Sequence, residues 1–282
     1  MANKLPIPED KYLTLKSGLR IHYVEAGKPS ADKPMILCIH GGGPGASGYS
    51  NYKKNMPAFA EAGYYAVAPD LPGFGLSDKP SDIDYTSTLH VQAMAELVES
   101  LGVSAVVPIG NSLGGSVALE FALTYPKWLA GLILMAPGGL ADPKSFWGTT
   151  DGGMALAKYA RERPEGEAAF REVLSLLLHD NATITDDVVA ERYPVAQAQP
   201  SRVFTSVSIQ PTWERLEEIT RPVLCFWGAA DRFLPVSQTL IAAERFPDCK
   251  VVISNRAGHW YMLEQPADFN REAVDFLVNQ VR

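Results

Sequence analysis

The sequence predicts a doubly wound α/β fold: a mainly parallel, eight-stranded sheet with a helical segment inserted between strands six and seven. Three observations carry this. Short continuous apolar runs at 35–39, 65–68, 105–109, 131–135, 223–227 and 251–253 suit strands buried on both faces of a parallel sheet. Helical patterns separate most of these runs. Between about 140 and 213 no such run occurs, and charge-rich helical stretches stand there instead.

The first two strands are expected at 12–15 and 19–24, which alternate in polarity around Ser17-Gly18 as a hairpin does. The clearest helix covers 89–101, with Thr86, Ser87 and Thr88 offering N-caps and Gly102 a stop. The last helix covers 267–278 and turns Phe269, Ala273, Phe276 and Leu277 inward. The chain thus divides into a core, 1–139 and 214–282, and a helical lid, 140–213. Pro108 is a local conflict, because a central strand uses its backbone donors; lying two residues before a turn makes it tolerable.

With 282 residues, 46% of them hydrophobic, the chain can bury a sizeable core. A net charge of −7, from 25 basic and 32 acidic residues, argues against a nucleic-acid partner and against an anionic membrane surface. An anionic substrate would need a specific cation to receive it. Met1-Ala2-Asn3-Lys4-Leu5-Pro6 leads into Glu9-Asp10 without an apolar leader, and the longest apolar stretch, near 132–136, is too short to span a bilayer. A cytoplasmic location is expected. Cys38 and Cys225 fall in apolar runs and Cys249 follows an acidic residue in an expected loop; without Cys-x-x-Cys spacing these are structural thiols, and no metal site is implied.

The chemistry begins at Gly110-Asn111-Ser112-Leu113-Gly114, where an apolar strand turns abruptly into a helix. In this Gly-x-Ser-x-Gly pattern, glycines let a strained turn pass close to its neighbours and push the serine hydroxyl into the open. A serine becomes a nucleophile only when a base takes its proton, and that base needs an orienting carboxylate. Of five histidines, His22 and His90 read as structural or surface residues, His179 as a surface residue of the insertion, and His40 as a prop for the turn after the third strand. His259, just after the last strand, is the expected base. Asp231, after the seventh strand, is the expected carboxylate; Asp70 suits a turn cap, and Asp142 is the weaker candidate. Cys38-Ile39-His40-Gly41-Gly42-Gly43 has the form of an oxyanion loop, in which an N–H from Gly42 or Gly43 joins that of Leu113.

Taken together, His40-Gly41-Gly42-Gly43-Pro44-Gly45-Ala46, Ser50-Asn51-Tyr52, Gly110-Asn111-Ser112-Leu113-Gly114-Gly115, Ala136-Pro137-Gly138-Gly139-Leu140, Asp231-Arg232-Phe233 and Gly258-His259-Trp260 resemble the meta-cleavage-product hydrolases of the α/β-hydrolase superfamily. The resemblance spans nearly the whole chain. It implies hydrolysis of a carbon–carbon bond in 2-hydroxy-6-oxohexa-2,4-dienoates during aromatic or steroid degradation, covalent attack by serine, no cofactor, and a homo-oligomer. It places Arg192, in "AERYPVAQAQP", as the receiver of the dienoate carboxylate, with Asn111 and Asn51 at the same polar end and Trp260 beside the histidine. Phe233 and Leu177 complete the expected substrate-binding set. Leu177 stands where relatives acting on biphenyl-derived substrates tend to carry an aromatic, and 203–213 is shorter, which predicts a distal pocket without an aromatic wall and a preference for small alkyl groups.

The alternatives are a carboxylesterase, which would need the triad but not Arg192; a proline iminopeptidase, against which the third glycine of the loop and Asn111 speak; and a ligand receptor on the same fold.

Overall fold

The computed structural model describes residues 8–281, so the expected lack of a leader at Met1 to Pro6 lies outside the described residues. Its strands are β1 (Lys11–Thr14), β2 (Arg20–Ala26), β3 (Met35–Ile39), β4 (Ala66–Pro69), β5 (Val106–Ser112), β6 (Leu132–Pro137), β7 (Val223–Gly228) and β8 (Cys249–Ser254). They form one sheet in the order β1-β2-β4-β3-β5-β6-β7-β8. The β1–β2 and β2–β4 pairs are antiparallel and the rest parallel. All residues of β3, β4, β6 and β7 are buried, whereas edge strand β8 is only half-buried. That contrast is why the central strands read as continuous apolar runs.

The helices of the core are α1 (Gly48–Tyr52), α2 (Met56–Glu61), α3 (Ser87–Ser100) and α4 (Leu113–Thr124). Between β6 and β7 lie α5 (Asp151–Glu162), α6 (Glu167–Ser175), α7 (Asp186–Ala198) and α8 (Arg202–Thr205), with no strand among the described residues there. Then come α9 (Gln238–Arg245), α10 (Tyr261–Glu264) and α11 (Pro266–Asn279). Thr86 caps α3 by accepting from Leu89 N at 3.1 Å, and Gly102 follows it with φ +66°. In α7 the buried residues are Val189, Arg192 and Ala196, so an arginine occupies the inward face of a helix. Among the described residues no helix is long and apolar enough to cross a membrane.

Three local readings change. β5 runs through Gly110 and Asn111 to Ser112, because those residues pair with Leu134 and Met135 of β6 instead of beginning the turn. Cys249 opens β8 and is not in a loop, since it pairs with Val223. Pro108 pairs with Leu37 of β3, while the β5–β6 register starts only at Ile109↔Ile133. Two residues earlier, Val106 donates to Trp128 O at 2.7 Å on the β6 side. Strand alternation turns Pro108 to that side too, so its missing donor falls in a break of the ladder.

The strand order reverses direction at β3 and β5, which are neighbours although β4 separates them in sequence. Their carboxyl ends open the crevice where α/β sheets place their sites.

Candidate active site

Ser112 ends β5 and stands before α4 with φ 56° and ψ −117°, a conformation sparsely allowed for a residue with a Cβ. It makes no side-chain capping bond to α4, which leaves its hydroxyl free for other work. The glycines around it are required by contact. A Cβ on Gly110 would stand 2.3 Å from Gly114 O, one on Gly114 2.2 Å from Ile39 O, and one on Gly115 2.4 Å from Pro137 Cβ. The strained angle therefore falls on the serine and the close approaches on its neighbours.

Gly41, Gly42 and Gly43 follow β3 and border the same cavity as Ser112 and Leu113. Gly42 faces Leu113 closely: a Cβ on it would lie 3.0 Å from Leu113 Cδ2. Leu113 is the first residue of α4, where backbone N–H groups lack helical partners and the helix dipole is positive. His40 is held at both ring nitrogens, with Nδ1 2.7 Å from Gly41 O and Nε2 accepting from Leu71 N at 3.0 Å. Burial pushes its pKa down, so it remains a neutral strut under the glycine loop.

The structure brings His259 and Asp231 together. Nδ1 of His259 lies 2.8 Å from Asp231 Oδ2, and both side chains are buried. Asp231 Oδ1 accepts from Phe233 N at 2.7 Å and Leu234 N at 3.0 Å, which fixes the carboxylate. A carboxylate only accepts, so the proton sits on Nδ1 and Nε2 is left as the basic nitrogen. The Phe233 ring stacks on the imidazole at 5.0 Å between centroids. Asp142 instead accepts from Lys144 N at 3.0 Å and caps the short turn Pro143–Ser145. Asp70 is fully engaged elsewhere, accepting from Gly48 N and Leu76 N, each at 2.7 Å, and pairing with His22 Nδ1 at 2.8 Å.

Arg192 is 1% exposed, with Nη2 donating to Ser50 O at 2.8 Å and Asn51 Oδ1 at 3.0 Å. Its Nη1 and the Nδ2 of Asn51 are buried without partners. Burial pushes the guanidinium down to about 10, with Glu191 pulling the other way. Glu191 itself pairs with Lys53 at 2.6 Å. Arg192 does not border the cavity; Asn51 and Trp260, which it touches, do. Asn111 borders the same cavity as Asn51: its Nδ2 donates to Met135 O and His259 O, both at 3.1 Å, and its Oδ1 is buried and unpartnered.

The cavity measures about 280 Å³. Leu177, Phe233 and Trp260 line it as expected, but so do Phe146, Trp147 and Phe204, which overturns the reading of a distal pocket without an aromatic wall. Phe146 and Trp147 come from short turns at the start of the helical segment, where neither helical nor strand periodicity marks them. Sequence reasoning also missed Gln199, whose Oε1 accepts from Gly45 N at 2.9 Å. Gly45, inside the quoted loop motif, has φ +71°, and a Cβ there would stand 2.4 Å from Arg192 O. The glycine thus admits α7 against the loop; the motif was visible but its distant partner was not.

The fold and this site define an α/β hydrolase, and the sequence profile of the alpha/beta hydrolase family matches residues 36–272. A 2-hydroxy-6-oxo-6-phenylhexa-2,4-dienoate hydrolase of Comamonas testosteroni is 35% identical over 269 residues, covering 93% of this chain and 92% of its own. A 2-hydroxy-6-oxononadienedioate/2-hydroxy-6-oxononatrienedioate hydrolase of the same organism is 34% identical, covering 95% of this chain and 96% of its own. The solved structure of a meta-cleavage product hydrolase from Pseudomonas fluorescens IP01 superposes with a TM-score of 0.81 at 28% identity, over 95% of this chain and 97% of the other. The chain belongs to the meta-cleavage-product hydrolases of that family.

Proposed function

We propose that this protein hydrolyses the carbon–carbon bond next to the C6 ketone of a 2-hydroxy-6-oxohexa-2,4-dienoate, giving 2-hydroxypenta-2,4-dienoate and a carboxylic acid. The observation that carries the reading is the buried Arg192, which has an unpartnered Nη1 and bonds Asn51, a residue that borders the Ser112 cavity and has an unpartnered Nδ2 of its own. A buried cation without an anion is strongly unfavourable. A substrate carboxylate would relieve it, and a neutral ester would not.

In this mechanism Arg192 and Asn51 hold the carboxylate end while the dienol is ketonised, with His259 moving the proton. Ser112 Oγ then attacks C6, His259 takes the hydroxyl proton, and the oxygen on C6 collects negative charge facing the N–H of Leu113 and of Gly42 or Gly43. The C5–C6 bond breaks, its electron pair goes to the dienoate fragment, and that fragment takes the proton from His259. Water hydrolyses the acyl-serine and releases the acid. Asp231 keeps the imidazole in the required tautomer throughout.

The test is incubation of purified protein with 6-phenyl and 6-methyl dienoates beside a simple aryl ester, following release of benzoate, acetate and phenol. Turnover of the dienoates that is abolished in Ser112→Ala is the expected result. Ester turnover without any dienoate turnover would establish a carboxylesterase instead.

A further inference from the structure

Glu264, at the end of α10, gathers three backbone N–H groups from two segments, one just upstream of α10 and one far off in the sequence. Its Oε2 accepts from Gly258 N at 2.6 Å, and its Oε1 accepts from His179 N at 2.6 Å and Asp180 N at 3.1 Å. Gly258 precedes His259, whereas His179 and Asp180 belong to the helical segment between β6 and β7. The same segments meet again one step away, where Leu177 O accepts from His259 N at 2.8 Å and Trp260 N at 3.3 Å. The contact is tight, for a Cβ on Gly258 would stand 2.8 Å from His179 N and 2.9 Å from Leu177 O.

We propose that Glu264 is a positioning residue: its carboxylate staples 177–180 to the Gly258-His259-Trp260 loop, and so sets His259 against Asp231 and Leu177 against the cavity. The proposal rests on the reading of His259 as the base. Neither segment is a strand, so no ladder of carbonyls is available to these N–H groups; an ionised carboxylate supplies enough lone pairs for all three and makes charge-assisted bonds. Burial raises the Glu264 carboxyl above its usual value, against the pull of the three N–H groups and of His179. A half-buried charge held in this way is more than a surface contact. Glu264 does not border the Ser112 cavity, so any effect on turnover passes through the residues it holds.

The experiment compares Glu264→Ala, which removes the acceptor, with Glu264→Gln, which keeps the shape and one acceptor oxygen. For both a dienoate and p-nitrophenyl acetate, kcat of the alanine variant falls by the same factor, about tenfold to a hundredfold, as for a base displaced by up to about 1 Å. KM stays within threefold, the glutamine variant regains part of the loss, and amide exchange at Gly258, His179 and Asp180 accelerates together. Should the alanine variant fail to fold, the glutamine variant decides, with an intermediate fall in kcat expected. A folded alanine variant with kcat within twofold of wild type, a glutamine variant with unchanged kcat where alanine does not fold, a change carried by KM alone, or unaltered exchange at the three amides overturns the proposal. His259→Ala is run alongside: full activity in that variant would remove the base assignment itself, a separate failure.

Discussion

The guanidinium carbon of Arg192 sits 4.3 Å from the centroid of the Trp260 ring. Trp260 is the residue after His259, so the buried cation is held on an aromatic face one peptide unit from the base. A desolvated cation–π contact of this kind contributes about 2 kcal/mol or more. It orients the guanidinium without neutralising it, and the hydrogen-bond acceptors of Arg192, Ser50 O and Asn51 Oδ1, are uncharged as well.

The pairing of His259 with Asp231, and of Asp142 with Lys144 N, predicts opposite outcomes for two like substitutions. Asp231→Asn removes the acceptor that selects the imidazole tautomer, and turnover should fall by about four orders of magnitude, as in other triads. Asp142→Asn keeps an acceptor for Lys144 N and should stay within a few-fold of wild type. Steady-state kinetics on the ester alone suffices, and the reverse ranking would reassign the acid.

Much of this was legible because each element announces itself locally. Ser112, Asp231 and His259 each stand at or just beyond the carboxyl end of an apolar run, and the glycines beside Ser112 mark the turn that exposes it. Contacts across long separations carry no such signature. Glu264 looks like any helix-terminal glutamate, Gln199 like a surface amide, and Asp70 like a simple turn residue, yet Asp70 ties α1, the turn at Leu76 and β2 together. Phe146 and Trp147 lie in irregular backbone, where periodicity cannot say which way a ring faces.

Those rings set the expected preference at C6. A wall including Phe146, Trp147, Leu156, Val203, Phe204 and Ile209 presents apolar surface and no charge to that end of the substrate. A 6-phenyl dienoate should therefore have a higher kcat/KM than the 6-methyl compound, and a substrate ending in a second carboxylate a much lower one. Burying an ion there without a partner is the penalty. Competition between the three substrates in one reaction checks the ranking, and a preference for the diacid would contradict it.

Stability should respond to pH through His22 and Asp70. Burial alone would lower the His22 pKa, but its bonds to Asp70 and Asp10 raise it above the usual value. Burial would likewise raise Asp70, and its bond and charge contact with His22 bring it below the ordinary carboxylate range. A raised histidine stabilises the fold fully below its unfolded pKa, about 6.5, and loses that contribution as pH rises through the folded value; a depressed aspartate contributes above about 3.9 and loses it as pH falls. The pair is therefore strongest between about pH 4 and 6.5. Urea midpoints of wild type should decline from pH 6 to 9 more steeply than those of His22→Gln, and parallel declines would show that another group governs this range.

Arg192 decides between carbon–carbon hydrolase and esterase. With a net charge of −7 the protein repels a dienoate at long range, so the attraction must come from a local cation. Removing one partner of a buried charge pair costs about 2 to 5 kcal/mol. At about 1.4 kcal/mol per factor of ten, Arg192→Met should lower kcat/KM for a dienoate by roughly thirty- to several-thousandfold. Hydrolysis of p-nitrophenyl acetate calls only on Ser112, Asp231, His259 and the oxyanion loop, and should change little. Methionine keeps contact with Trp260 and fills most of the space, so the α7 face can still dock on Gly45. The ratio of the two losses, measured in one preparation, separates substrate recognition from disturbed packing. Equal losses would make Arg192 a structural support for α7, and no loss on either substrate would remove it from the site; both results would leave an esterase as the better reading.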